Sequence, residues 1–191
     1  PAKETDLLNP TSPYSVSKAA FDLYLESMWR TAKFPMNIVR PSNCYTEGQQ
    51  LYRIIPKTII HALKGERLPL HGGGLAQKSY MHATDLSKAI LRVINQAPPG
   101  AIYNVGPYEP VEIRYVVSCA IAACGKVFSD IVQEVPDRVG QDAKYHLDTS
   151  KIRALGWTCE IELPHGVRDM VNWIRKYPET LAMPTSYEHR R

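Results

Sequence analysis

Several absences in the 191-residue sequence narrow what it can be. Its longest nearly apolar stretch, Val116 to Cys124, is interrupted by Ser118. That falls far short of the roughly 20 apolar residues a spanning helix needs, so no membrane partner is expected. The four cysteines, Cys44, Cys119, Cys124 and Cys159, form no C-x-x-C pair, which removes zinc ribbons and thioredoxin-like redox motifs. Isolated thiols suit a reducing compartment, and a cytoplasmic location is the expectation. The net charge of +4 contains no basic run apart from His189-Arg190-Arg191, so a nucleic-acid partner is not expected. Scattered cations fit a phosphorylated small molecule better. There is no internal repeat, no low-complexity segment and no G-x-G-x-x-G phosphate loop; Gly72-Gly73-Gly74 does not match that spacing.

What is present is ordinary globular material, 44% hydrophobic and 22% charged, which excludes disorder and collagen. Thr11-Ser12-Pro13 reads as a helix entry, with a hydroxyl cap and a proline in the first turn. Helical spacing then runs from Tyr14 to about Lys33, and Pro35 stops it. Residues 36–40 form a short strand ending in a Pro41-Ser42-Asn43 loop. A helix from Tyr52 or Arg53 to Lys64 closes at Gly65, and Leu68-Pro69-Leu70 is extended. His71 to Gly74 turns, Lys78 to His82 is extended, and Ala83-Thr84-Asp85 caps a helix reaching about Asn95. Further elements are a strand at 101–105, a helix at 111–124, a strand at 130–135, a polar loop at 137–149, a short helix to Leu155 and a last helix at 164–176. Trp157 and Trp173 read as core residues. Alternating strands and helices make the class α/β.

The chemistry begins with Tyr14-Ser15-Val16-Ser17-Lys18. Tyr14 and Lys18 at i and i+4 share a helix face. An ammonium beside a phenol favours the phenolate, and such a tyrosine can take a proton from an alcohol while a cofactor takes the hydride. A surface pair without function is the competing reading, since the chain has 11 tyrosines and the spacing recurs by chance.

The surrounding Ser12-Pro13-Tyr14-Ser15-Val16-Ser17-Lys18-Ala19-Ala20 resembles the active-site helix of the extended short-chain dehydrogenase/reductases, specifically the nucleotide-sugar dehydratase/epimerase family. Val39-Arg40-Pro41-Ser42-Asn43-Cys44-Tyr45 stands where that family has its strand end beside the nicotinamide. Ile55-Pro56, Ala62-Leu63-Lys64-Gly65, Leu68-Pro69-Leu70-His71-Gly72 and Thr84-Asp85 follow in the family's order. The block Tyr103-Asn104-Val105-Gly106, Asp137 to Tyr145, Asp148-Thr149-Ser150-Lys151-Ile152 and Leu155-Gly156-Trp157 most resembles the branch of 4,6-dehydratases acting on dTDP-glucose. The resemblance runs from about Glu4 to Tyr177.

It implies an architecture: residues 1–50 as the C-terminal part of a Rossmann-like doubly wound sheet, and 51–177 as a smaller α/β substrate-binding domain. One late strand, 101–105, would lie near that sheet or return to it, and 178–191 would be a tail. It implies NAD as cofactor, a nucleotide-diphosphate sugar as partner and a homodimer through the tyrosine helix, whose stripe from Ala20 to Trp29 is equally compatible with core packing. Tyr14 would be the base and Lys18 would hold the nicotinamide ribose, with Pro41 and Ser42 lining the cofactor.

Asn43, Arg53, Leu68, His71, Lys78, Asn104, Arg138 and Gln141 would meet the substrate. Six of them have a bland competitor: a turn residue for Asn43, a backbone-bonding side chain for Asn104, solvated surface charges for Arg53 and Lys78, an exposed turn histidine for His71, and a structural role for Arg138.

Departures from the pattern include Tyr45-Thr46-Glu47 for Tyr-Gly-Pro, Lys78-Ser79-Tyr80 for Arg-Asp-aromatic, and Val139 and Gln141 for Pro and His. The glycine loop, its ribose-binding acid, the triad Ser/Thr and the water-eliminating acids do not occur among these residues. The expectation is therefore the C-terminal portion of an NAD-dependent 4,6-dehydratase, inactive alone. A 4-epimerase and a non-enzymatic binding relative are the alternatives.

Overall fold

The computed structural model describes residues 1–137 and 144–186. Its first helix, α1 (Pro13–Ala32), starts where the sequence placed it, with Ser12 as N-cap and Pro13 in the first turn. Ser12 Oγ accepts from the Ser15 backbone N–H, and the Ser15 hydroxyl accepts from that of Ser12, a reciprocal capping box. The helix stops at Lys33, which adopts left-handed φ 51° just before Phe34-Pro35. No residue of α1 is buried. The stripe from Ala20 to Trp29 is therefore not core within these residues: Phe21, Leu23 and Tyr24 are more than half exposed. Two of the contacts that hold α1 to the rest involve Asp22 and Trp29. Asp22 pairs with Arg40 Nε at 2.7 Å, and Trp29 lies over Gly100, where a Cβ would come within 2.2 Å of the indole.

The strands are short and mostly parallel. β1 (Ile38–Pro41) pairs in register with β6 (Ile102–Val105). β2 (Asn43–Tyr45) pairs with β5 (Tyr80–His82), and β3 (Leu68–His71) with β8 (Val132–Val135). β4 (Gln77–Lys78) lies between β7 (Val111–Glu112) and β9 (Lys144–Tyr145). Parallel pairing demands crossover helices, which the chain supplies: α2 (Ile54–Lys64), α3 (Ala83–Gln96), α4 (Ile113–Ala123), the single turn α5 (Phe128–Ile131), α6 (Ser150–Ala154) and α7 (Leu163–Lys176). The result is the expected α/β class.

Apolar side chains gather into two clusters. In the first, α2, α4 and α7 close over β3 and β8, burying Ile59, Leu68, Val116, Ile121, Met170 and Ile174. In the second, α3 and α6 cover β6, burying Ala89, Val93, Tyr103, Val105, Ile152 and Trp157. Among the described residues no helix is long and apolar enough to cross a membrane. All four cysteines are free thiols, Cys124 being buried.

Several local expectations need correction. Asn43 does not end the strand region in a loop; it opens β2, because the backbone of Asn43 to Tyr45 finds partners on β5. The cap of α3 is His82, whose Nδ1 accepts from the Thr84 N–H. Asp85 instead sits inside the first turn, fully buried, receiving the backbone N–H groups of Glu160 and Ile161. Residues 111–112 are strand before α4 begins, and 128–131 are a helical turn before β8. The segment after Tyr177 is not all loose: Pro178–Ala182 is a 3-10 turn with Thr180 buried and Leu181 packed on the first cluster.

Candidate functional site

A cavity of about 280 Å³ opens between the start of α2 and strand β3. Three of the residues singled out in the sequence, Arg53, Leu68 and His71, line it together. Their convergence follows from the fold: Gly65 (φ 70°) reverses the chain after α2 and sends β3 back beside that helix. Alternation along β3 buries Leu68 and Leu70 in the core and leaves Pro69 and His71 more open. Tyr52, Ile54, Lys57 and Pro69 complete this side, and Ile113, from the start of α4, closes the far wall.

His71 has a fixed ring. Its Nδ1 lies 3.1 Å from the Pro136 carbonyl oxygen, which can only accept, so Nδ1 carries a proton, and in the neutral ring Nε2 is the acceptor. The turn behind it depends on glycine. Gly72 has φ 54°, and a Cβ there would stand 2.6 Å from Cγ of Asp137. The wall is thus partly apolar, with one oriented imidazole and two cations. The Arg53 guanidinium lies 5.4 Å from the centre of the Tyr52 ring. Arg53 and Lys57 form no ion pair among the described residues.

The other expected site residues fall elsewhere. Tyr14 and Lys18 sit on the first turns of α1, both open to solvent, with Lys18 Nζ 5.8 Å from the Tyr14 ring centre. The Asp22–Arg40 pair ties that helix to β1, so the Tyr–Lys turn and the Pro41–Ser42 strand end share one scaffold. Pro41 is exposed. Ser42 is buried, its Oγ has no partner among the described residues, and a Cβ on Gly106 would stand 2.8 Å from it. Asn43 is bound to one carbonyl: its backbone N–H and its Nδ2 both donate to the Ser79 oxygen, at 3.1 and 3.2 Å. Lys78, the neighbour of Ser79, lies with Nζ 6.0 Å from the centre of the Tyr145 ring.

Asn104 is buried rather than open to the cavity. Its Nδ2 donates to the Ala2 carbonyl and its backbone N–H to Glu4 Oε1, so here it anchors the first residues of the chain. Arg138 and Gln141 lie outside the described residues. Among the described residues no group of three or more His, Cys, Asp or Glu is arranged to hold a metal.

Sequence reasoning missed Tyr52, Ile54, Lys57, Pro69, Leu70 and Ile113 as cavity residues. Lys57 carried a usable signal, standing one helical turn beyond Arg53 on the same face. Ile113 carried none, since it arrives from a distant part of the chain.

Comparison with known proteins bears on the geometry. Residues 1–106 match the family model described as "NAD dependent epimerase/dehydratase family". The dTDP-D-glucose 4,6-dehydratase of Mus musculus is 32% identical over 178 residues, which cover 91% of this chain and 50% of that protein. The crystal structure of dTDP-glucose 4,6-dehydratase from Bacillus anthracis in complex with NAD superposes with a TM-score of 0.85 at 32% identity, covering 93% of this chain and 56% of that one. The UDP-glucose 4-epimerase of Thermus thermophilus, in complex with NAD, gives a TM-score of 0.83 at 28% identity over 91% of this chain and 57% of that one. The chain spans about half the length of the curated relatives it matches.

Proposed function

Since the chain belongs to the NAD dependent epimerase/dehydratase family, we propose that it is the substrate-binding and Tyr–Lys portion of an NAD-dependent nucleotide-sugar 4,6-dehydratase. The observation that carries this reading is the convergence of Arg53, Leu68 and His71 on one cavity. The cavity is near the lower end of the ~300–1,000 Å³ usual for ligand pockets, which suits one heterocycle and its sugar. Its chemistry matches: an apolar floor and an imidazole for a base, and a guanidinium without an ion pair among the described residues for a phosphate.

In this reading residues 1–50 are the end of the dinucleotide-binding domain, joined by the late strand β6 paired to β1, and 51–177 are otherwise the substrate domain. NAD, when bound, supplies the hydride acceptor. The residues here fit one side of it: a phenol, an ammonium and the buried Ser42 hydroxyl, without a partner among the described residues, suit a nicotinamide ribose and its amide. Tyr14 takes the proton of the sugar 4-hydroxyl, and Lys18, one turn on, keeps positive charge beside the phenol as it ionises. Asn43, on β2, and Lys78, on β4, are the described residues assigned to the diphosphate. The exposed Phe21, Leu23 and Tyr24 supply a surface for the homodimer. The chain alone, without a glycine loop or eliminating acids, binds nucleotide but does not turn over. The 4-epimerase alternative uses the same Tyr14 and Lys18.

The test is calorimetric titration of the 191-residue chain with UDP and dTDP. Binding that weakens about tenfold or more in Arg53→Ala and in His71→Ala supports the reading. Binding indifferent to both substitutions, or none at all, overturns it.

A further inference from the structure

The turn that follows His71 is three glycines, and all three take left-handed φ: 54°, 61° and 72° at Gly72, Gly73 and Gly74. Within it the Leu75 N–H donates to the Gly72 carbonyl at 3.3 Å. Glycine gives up more conformational freedom on ordering than any other residue, so such a turn depends on what holds it from outside. On one side a Cβ at Gly72 would meet the Asp137 carboxyl. On the other, a Cβ at Gly74 would stand 2.8 Å from the backbone nitrogen of Arg114, in the first turn of α4. Between them, Arg114 Nη1 donates to the Gly73 carbonyl at 3.2 Å and to Glu134 Oε1 at 2.6 Å. The same guanidinium lies 4.7 Å from the centre of the Phe128 ring.

Glu134 belongs to β8, where it lies opposite Leu70 in the parallel register. Val135 is opposite His71, and the next residue, Pro136, supplies the carbonyl that receives His71 Nδ1. One guanidinium therefore ties the turn after His71 to the strand whose end fixes the His71 ring. The Arg114–Glu134 pair is half-exposed, so it adds little to the stability of the whole fold. Its effect is local: it removes the freedom of a glycine turn that would let His71 drift from Pro136. We propose that Arg114 is a positioning residue, acting through Gly73 and Glu134 to keep His71 in the ring orientation that the α2–β3 cavity presents to a ligand. The consequence for affinity rests on the nucleotide reading given above; the consequence for the ring does not.

Imidazole nitrogen NMR spectra of the 191-residue chain read the ring directly at about pH 8.5, where histidines are neutral. His71→Gln identifies the signal. In the unaltered chain His71 is expected to carry its proton on Nδ1, with Nε2 bare, because the tautomer follows the hydrogen bond to Pro136. In Arg114→Ala the signal is expected to move to a mixture of both tautomers, and UDP affinity, measured by calorimetry, to fall about 3- to 10-fold, the range for one ordinary hydrogen bond. Glu134→Ala removes the anchor that aims the guanidinium and is expected to shift His71 in the same direction, with the double variant no worse than Arg114→Ala. Thermal midpoints of all three should stay within about 4 °C of the unaltered chain, as suits a half-exposed pair. An unchanged His71 tautomer in Arg114→Ala overturns the proposal, as does a tautomer mixture already present in the unaltered chain, or a shifted tautomer with UDP affinity intact. If the unaltered chain binds no UDP, the nucleotide reading fails, and the His71 spectra still decide whether Arg114 positions the ring.

Discussion

The indole Nε1 of Trp157 donates to the main-chain oxygen of Asp85 over 3.0 Å, in a fully buried setting. Asp85 in turn accepts the backbone N–H groups of Glu160 and Ile161 through Oδ2, at 3.2 and 3.0 Å. One carboxylate thus joins the start of α3 to the chain that follows α6. Asp85→Ala removes the acceptor for two backbone donors and is expected to cost about 2–4 kcal/mol. Asp85→Asn, which keeps a carbonyl oxygen, costs less. Urea unfolding followed by tryptophan fluorescence measures both, and equal losses for the two variants would contradict this account.

Gly72→Ala places a methyl group against the Asp137 carboxyl at a φ of 54°, a backbone region costing about 1–2 kcal/mol for a residue with a side chain. The thermal midpoint is expected to fall by about 2–8 °C. Because the adjacent His71 ring is held by Pro136, UDP affinity should fall with it. A variant that loses stability but binds UDP unchanged would uncouple the turn from the cavity.

Burial pushes the Cys124 thiol up to about 11, with Arg175 and Lys126 opposing the shift only in part. The unfolded thiol ionises from its ordinary value near 9, while the native one keeps its proton until about 11. The native state therefore holds more protons across that window. This contribution is complete below pH 9 and is lost as pH rises towards 11. Between pH 8 and pH 10.5 the urea midpoint of the unaltered chain should drop further than that of Cys124→Ala. Parallel pH profiles would exclude Cys124 as a contributor.

Ser12→Ala removes the Oγ that accepts the Ser15 N–H, leaves the backbone arm to the Ser15 hydroxyl, and is expected to destabilise the first turn of α1 by about 1 kcal/mol. Amide exchange at residues 15–18 should quicken while that of α7 stays as it was. Uniform quickening through the whole chain would mean that the cap supports more than α1.

Much of this was legible because the signals were local. Ser12-Pro13 opens α1, Gly65 closes α2, and the proline and glycine breaks frame β3 and β6; each is a short-range steric or capping rule. What escaped was set by distant partners. β2 exists because β5 lies beside it, and nothing within Asn43-Cys44-Tyr45 announces three strand residues. His82 caps α3 in place of Asp85 because Asp85 is claimed by two backbone donors 75 and 76 residues further on. In the cavity, Arg53, Leu68 and His71 were found through motif order, whereas Ile113 is brought there only by the packing of α4 against α2. Asn104 fitted the motif, yet in the structure its amide is engaged by Ala2, a contact no spacing rule contains.

α1 has no buried side chain, and that has a thermodynamic consequence for the chemistry proposed for it. A helix whose stability is mostly local is the first cooperative unit to open, with a free energy well below that of the whole fold. Tyr14 and Lys18 ride on that unit. A partner that covered the exposed Phe21 and Tyr24, one helical turn apart, would raise its opening energy, so binding there and the alignment of the Tyr–Lys pair would be linked.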